Sequence, residues 1–174
     1  MDRRRASAAL VALAAWGGIR ASAGTGQPLV PAAAVTLPQP GPRDLCPVCG
    51  MLVAKYPAWV AVARHRDGHV HFFDGAKDLF KYLFNLSRYA PGHRREDVAD
   101  IWVTEYYGLT RVDARRALYV IGSDVLGPMG HEFVPLAGES EADDFLRDHK
   151  GRRVLRFTEI TGQRAERLDE ARFD

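Results

Sequence analysis

The order strand, strand, helix, strand runs twice along this 174-residue chain, and that repetition limits the fold more than any other feature. In the first pass, Trp59 to Ala63 reads as a strand, Arg66-Asp67-Gly68-His69 as a tight hairpin turn, and Val70 to Phe73 as the partner strand. Asp74 is placed to cap a helix whose Ala76, Leu79, Phe80, Leu83 and Phe84 recur at threes and fours and give it one apolar face. A polar loop, Arg88 to Glu96, leads to a strand marked by Val98, Ile101, Trp102 and Val103. In the second pass Ala117 to Ile121 is a strand, His131 to Leu136 its partner, Ser140 to His149 a short helix capped by Ser140, and Val154 to Ile160 the closing strand. A single unit of this size is too small to bury a secure core, so the two must pack together or share a sheet. The expected fold is therefore α+β, two homologous small ββαβ modules packed together, the first within residues 44–110 and the second within 111–160.

The ends of the chain read differently. Arg3, Arg4 and Arg5 precede the apolar run Ala6 to Ile19, and Ala21-Ser22-Ala23 offers small residues for cleavage, so residues 1–23 read as an export signal peptide. The run is shorter than the roughly 20 residues a spanning helix needs. The triple arginine leaves both general and twin-arginine export open. Residues 24–43 hold Pro28, Pro31, Pro38, Pro40 and Pro42, half of the 10 prolines, and form a linker. Residues 161–174 are charged with little periodicity and are expected to be a loose tail. Removing residues 1–23 takes four arginines and one aspartate from the 24 basic and 22 acidic residues, which leaves a net charge near −1. The basic pI thus belongs to the signal, and nucleic acid and anionic membrane surfaces are excluded as partners on charge.

The chemistry concentrates in Leu45-Cys46-Pro47-Val48-Cys49-Gly50-Met51, which carries both cysteines and one of the three methionines. Thiolate and thioether sulfurs are soft donors that favour Cu(I) and, for thiolates, also Zn(II) and iron–sulfur clusters. If this segment is extended, Cys49 and Met51 point to one side and address one ion. A third donor is expected from the long loop Gly122 to Gly130, far longer than a hairpin needs, which ends by presenting Met129 beside His131. Met129, flanked by Gly127, Pro128 and Gly130, is the first choice and His131 the alternative or additional ligand. Core packing is the competing account of Met51, a turn filler that of Met129. His65, His69 and His71, in or beside the first hairpin, read as solvated or paired with acidic neighbours, and His69 with His71 as a less favoured metal pair.

Cys46 and Cys49 form a Cys-x-x-Cys pair with three rival readings. A closed zinc knuckle needs four ligands, and no second cysteine pair is present to complete one. A thioredoxin-like dithiol would sit between a strand and a long helix, whereas a proline-rich linker precedes this pair and Pro57 follows it. A disulfide would close a very short loop and add little stability, which makes it a resting state of the empty protein rather than a purpose.

With these residues in view the chain resembles the NosL family, copper-binding accessory proteins of nitrous oxide reductase maturation, from Asp44 to about Ile160. The resemblance rests on Cys46-Pro47-Val48-Cys49-Gly50-Met51 with Val53-Ala54-Lys55-Tyr56-Pro57, on Phe72-Phe73-Asp74, and on Tyr119-Val120-Ile121-Gly122-Ser123-Asp124 running into Gly127-Pro128-Met129-Gly130-His131-Glu132. It implies a periplasmic Cu(I) carrier, not an enzyme, whose family cysteine and methionines fall on Cys49, Met51 and Met129. The implied partners are a copper-receiving enzyme, nitrous oxide reductase, and its membrane assembly complex. Family members are commonly lipoproteins; here no cysteine sits at the signal boundary, so tethering would rest on an uncleaved signal. Cys46 is a thiol beyond the family's Cys-x-Met pattern, either a ligand or a guard for Cys49. The rival from the enzyme class is a thiol–disulfide oxidoreductase using Cys46 and Cys49, which requires a depressed nucleophile pKa. A structural staple is the third reading.

Overall fold

The computed structural model describes residues 37–174, so the export signal and most of the linker lie outside the described residues. The chain runs β1 (Ala61–His65), β2 (Val70–Phe73), α1 (Ala76–Phe84), α2 (Leu86–Tyr89), β3 (Val98–Thr104) and β4 (Arg111–Asp113). It continues β5 (Leu118–Ile121), β6 (Val134–Leu136), α3 (Glu139–Asp148), β7 (Arg153–Arg156) and α4 (Gly162–Asp169). Two antiparallel sheets result, ordered β2-β1-β3-β4 and β6-β5-β7. In both, the first strand of the unit is central, the hairpin partner lies on one side, and the strand after the helix lies on the other. The α+β fold with two ββαβ units holds, with β4 an addition to the first sheet.

Local chemistry explains the first hairpin. Gly68 adopts φ +92°, a conformation that costs a glycine little, and the His65 N–H donates to the His69 carbonyl at 2.8 Å to close the turn. Pairing then sets Ala61 opposite Phe73 and Ala63 opposite His71. The second hairpin has no such turn: β6 starts only at Val134, because residues 122–133 cross the seam between the modules before pairing begins.

The two units meet across α1. Every residue of β5 is buried, and its alternation divides two clusters: Leu118 and Val120 pack with Ala142 and Phe145 of α3, whereas Tyr119 and Ile121 belong to the main core with Leu79 and Phe80 of α1. Phe80 lies 5.1 Å from the Tyr119 ring, 5.2 Å from Phe133 and 5.4 Å from Phe157. Each such aromatic pair is worth about 0.5–1.5 kcal/mol beyond area burial. The sequence suggested one apolar face for α1, but Ala76 to Phe80 is buried on all sides, as are Tyr82 and Leu83. The first sheet, the second sheet and α4 surround it.

The tail is the clearest departure from expectation. Residues 162–169 form α4, capped by Thr161 Oγ1, which accepts the Arg164 N–H at 3.2 Å. Only Ala165 and Leu168 anchor its apolar side, too few to register as periodicity, and the rest of the attachment is ionic. Asp169 accepts from Lys77 at 2.9 Å and from Lys81. Among the described residues no helix is long and apolar enough to cross a membrane.

Candidate metal centre

The cysteine segment folds as a knuckle rather than an extended strand. Leu45 and Leu52 bridge antiparallel, the Cys46 N–H donates to the Met51 carbonyl at 2.9 Å, and the Gly50 N–H donates to the Cys46 carbonyl at 2.9 Å. Gly50 takes φ +77° to complete the reversal. Cys49 and Met51 therefore flank a left-handed glycine, and the alternation expected of an extended chain does not govern where they point. The Met51 side chain is half-buried and does not line the cleft that Cys49 faces.

Both thiols instead meet carboxylates at the start of α1. Cys46, fully buried, donates to Asp78 Oδ2 at 3.2 Å, and Cys49 donates to Asp74 Oδ1 at 3.3 Å. One ligand atom from each of Cys46, Cys49, Asp74 and Asp78 falls within 4.8 Å of all the others. Asp74 is not the helix cap read from the sequence: Gly75 occupies that place, and Asp74 is buried with Oδ2 unpartnered. Gly138 likewise displaces Ser140 as the first residue outside α3. A spacing of four between Asp74 and Asp78, across a helix start, was the available signal that two acids share a side. Burial, followed by the Asp78 carboxylate, pushes the Cys49 thiol up to about 12, and burial drives Cys46 further the same way. Asp78 is itself raised, chiefly by burial. The two cysteines stand here as separate thiols, not joined by a disulfide.

The long loop completes the surroundings. Gly127 and Gly130 pair with each other through bonds of 2.8 and 3.1 Å, leaving Pro128 and Met129 at the tip of a tight turn. Met129 is 45% exposed, unusual for a large apolar side chain held in an ordered turn. Two buried ionisable residues, Glu132 and Lys77, hold the turn in place. Glu132 Oε1 accepts the Phe133 N–H at 2.8 Å and, from the other module, the Lys77 N–H at the start of α1 at 2.5 Å. Burial, partly offset by Lys77, pushes the Glu132 carboxyl up to about 8. The Lys77 ammonium, also buried, donates to the Met129 carbonyl at 2.8 Å. Cys49 from one module and Met129 from the other line one open cleft of about 560 Å³ that Asp78, Lys81 and Tyr89 share. His131 is half-buried, with its ring 4.9 Å from the ring of Phe173 in the tail.

Two ββαβ modules clasping one helix, with paired thiols, paired carboxylates and a thioether at their seam, define a small α+β protein whose donors suit a soft metal. The sequence profile of the NosL family matches residues 38–165. The chain belongs to the NosL family. It is 32% identical over 119 residues to the copper-binding lipoprotein NosL of Stutzerimonas stutzeri, an alignment that takes in 67% of this chain and 62% of that one. The chain thus spans less than two thirds of that relative's length. The crystal structure of the copper chaperone NosL from Shewanella denitrificans superposes with a TM-score of 0.60 over 72% of this chain and 95% of that one, at 24% identity, and shares its fold.

Proposed function

We propose that this protein is a copper chaperone that carries a single Cu(I) ion between Cys49 and Met129, with Met51 turning in from beside the cleft as the third soft donor when the ion binds, and releases it to a copper enzyme under assembly outside the cytoplasm. The observation that carries the reading is that a thiol from the first module and an exposed thioether from the second face the same cleft. Copper-binding and copper-chaperone relatives support copper as the cargo; nitrous oxide reductase is the recipient that the resemblance implies. The lipoprotein relative supports export to the periplasm. Cys46, buried and bonded to Asp78, guards Cys49 and adjusts its proton. His131 replaces Met129 as ligand only if Phe173 releases its ring.

The chemistry suits transfer. A thiol raised to about 12 by burial loses its proton only when a tight-binding ion displaces it, and Asp74, 3.3 Å away, relays that proton to water. Recapture of the proton when a partner's ligands approach helps the ion leave. Affinity should therefore fall about tenfold for each unit of falling pH while one proton is exchanged per ion. The same raised thiols argue against disulfide exchange, whose attacking cysteine needs thiolate character. Competition of the reduced protein against a Cu(I) chelator tests the proposal. Cys49→Ser and Met129→Leu should each weaken Cu(I) clearly; an affinity unchanged by Cys49→Ser together with Met51→Leu would remove it.

A further inference from the structure

Four of the six histidines gather at the opposite end of the first sheet, around the β1–β2 turn, and the sulfur site uses none of them. Period-two pairing accounts for three: the register that sets Ala63 opposite His71 places His65, His69 and His71 on one face. His93 arrives from the loop after α2, and its ring lies 4.3 Å from the His65 ring and 5.8 Å from the His69 ring. Two of these imidazoles converge on one carboxylate oxygen. His93 Nε2 lies 2.8 Å and His69 Nδ1 3.1 Å from Asp67 Oδ2. The other oxygen of Asp67 accepts the His69 backbone N–H at 3.0 Å, which fixes the carboxylate's direction. Behind them His65 is buried, its Nε2 bonded to the Tyr82 hydroxyl at 2.6 Å and its Nδ1 without a partner.

We infer that Asp67, His69 and His93 form a second metal site, for a divalent borderline ion such as Zn(II) or Cu(II), distinct from the sulfur site. One ligand atom from each residue already falls within 4.8 Å of the other two, so the set can close on an ion with small rotations. Two imidazoles and a carboxylate are the donors such ions favour, and they offer nothing soft enough to hold Cu(I) in competition with sulfur. Three protein ligands on an exposed turn leave a coordination position open to water, as in exchangeable rather than structural sites. His65, its ring 4.3 Å from that of His93, stands beside this set with an unpartnered Nδ1.

The test uses the whole chain with Cys46→Ser and Cys49→Ser, which silences the sulfur site and makes the outcome independent of the copper-carrier proposal. Zn(II) alone is titrated calorimetrically, and imidazole nitrogen NMR reports which rings bind. The proposal expects one equivalent of Zn(II), with the resonances of His69 Nδ1 and His93 Nε2 shifted. His69→Gln and Asp67→Asn should each weaken binding by at least about tenfold, the lower end of what losing even an outer ligand partner costs. Both positions are exposed, so the melting temperature of the metal-free variants should not move. His131→Gln and His149→Gln should leave Zn(II) binding as it was. No uptake of Zn(II), or uptake that survives His69→Gln and Asp67→Asn, would overturn the assignment.

Discussion

The two modules share a strand order but differ in what their hairpins do. In the first, a four-residue turn keeps the strands paired to their ends, and the polar residues stay local, as the Asp67, His69 and His93 cluster shows. In the second, the segment before β6 leaves its own sheet, caps α1 of the other module through Glu132, and displays Met129 at the cleft that Cys49 lines. The lesson is that a duplicated scaffold can gain a shared centre by lengthening one connection, since an extra stretch of loop costs little closure entropy. The helices differ in parallel. α1 is surrounded and carries the buried Asp78 and Lys77, whereas α3 rests on one sheet and turns its acidic side to water.

The largest predicted effect breaks the joint between the modules. Phe80→Ala removes the ring that meets Tyr119, Phe133 and Phe157, and should cost about 3–5 kcal/mol in denaturant unfolding. If the modules depend on each other as the shared core implies, fluorescence and circular dichroism should report a single, earlier transition; two separated transitions would mean they fold independently. Next comes the clamp between loop and helix. A Cβ at Gly75 would collide with Glu132 Oε2, so Gly75→Ala should displace that buried carboxyl group, cost about 1–3 kcal/mol, and weaken Cu(I) binding by shifting Met129. Gly68→Ala in the first hairpin meets no neighbour and is strained only by its positive φ, so it should cost about 1 kcal/mol and leave Cu(I) affinity alone.

Asp169→Asn should cost about 2 kcal/mol, because it strips the carboxylate from Lys77 and Lys81 and loosens α4. The pH dependence has a definite sign. Burial works against the charged Asp169, but hydrogen bonds from Lys81 and Lys77 outweigh it and hold its carboxyl below the ordinary value. Its contribution is fully present above the ordinary carboxyl pKa and disappears as pH falls through the depressed folded value. The asparagine variant should lack that acid-side loss in a pH series of melting temperatures. A loss of about 1 kcal/mol is likewise expected from Thr161→Ala, which removes an N-cap, read as earlier hydrogen exchange in α4 with the second sheet unaffected.

Strand and helix periodicity, the tight turn at Gly68 and the doubled order were legible in the sequence because each is set within a few residues of chain. So was the density of soft donors at Cys46, Cys49 and Met51, and the oddity of Met129 between glycines. What sequence could not show was the role of charge in the interior. Asp74 looked like a cap because an acid before a helix usually is one, yet here a thiol takes its oxygen. Nothing local marks Lys77, Asp78 or Glu132 as buried, since their burial comes from the other module and from α4 closing over them. The tail looked loose because two apolar residues and one aspartate make no pattern alone. Residue types and local spacing thus decided which donors exist and which elements carry them, whereas packing between distant segments decided which donors meet, which protons they keep, and which face of each helix sees water.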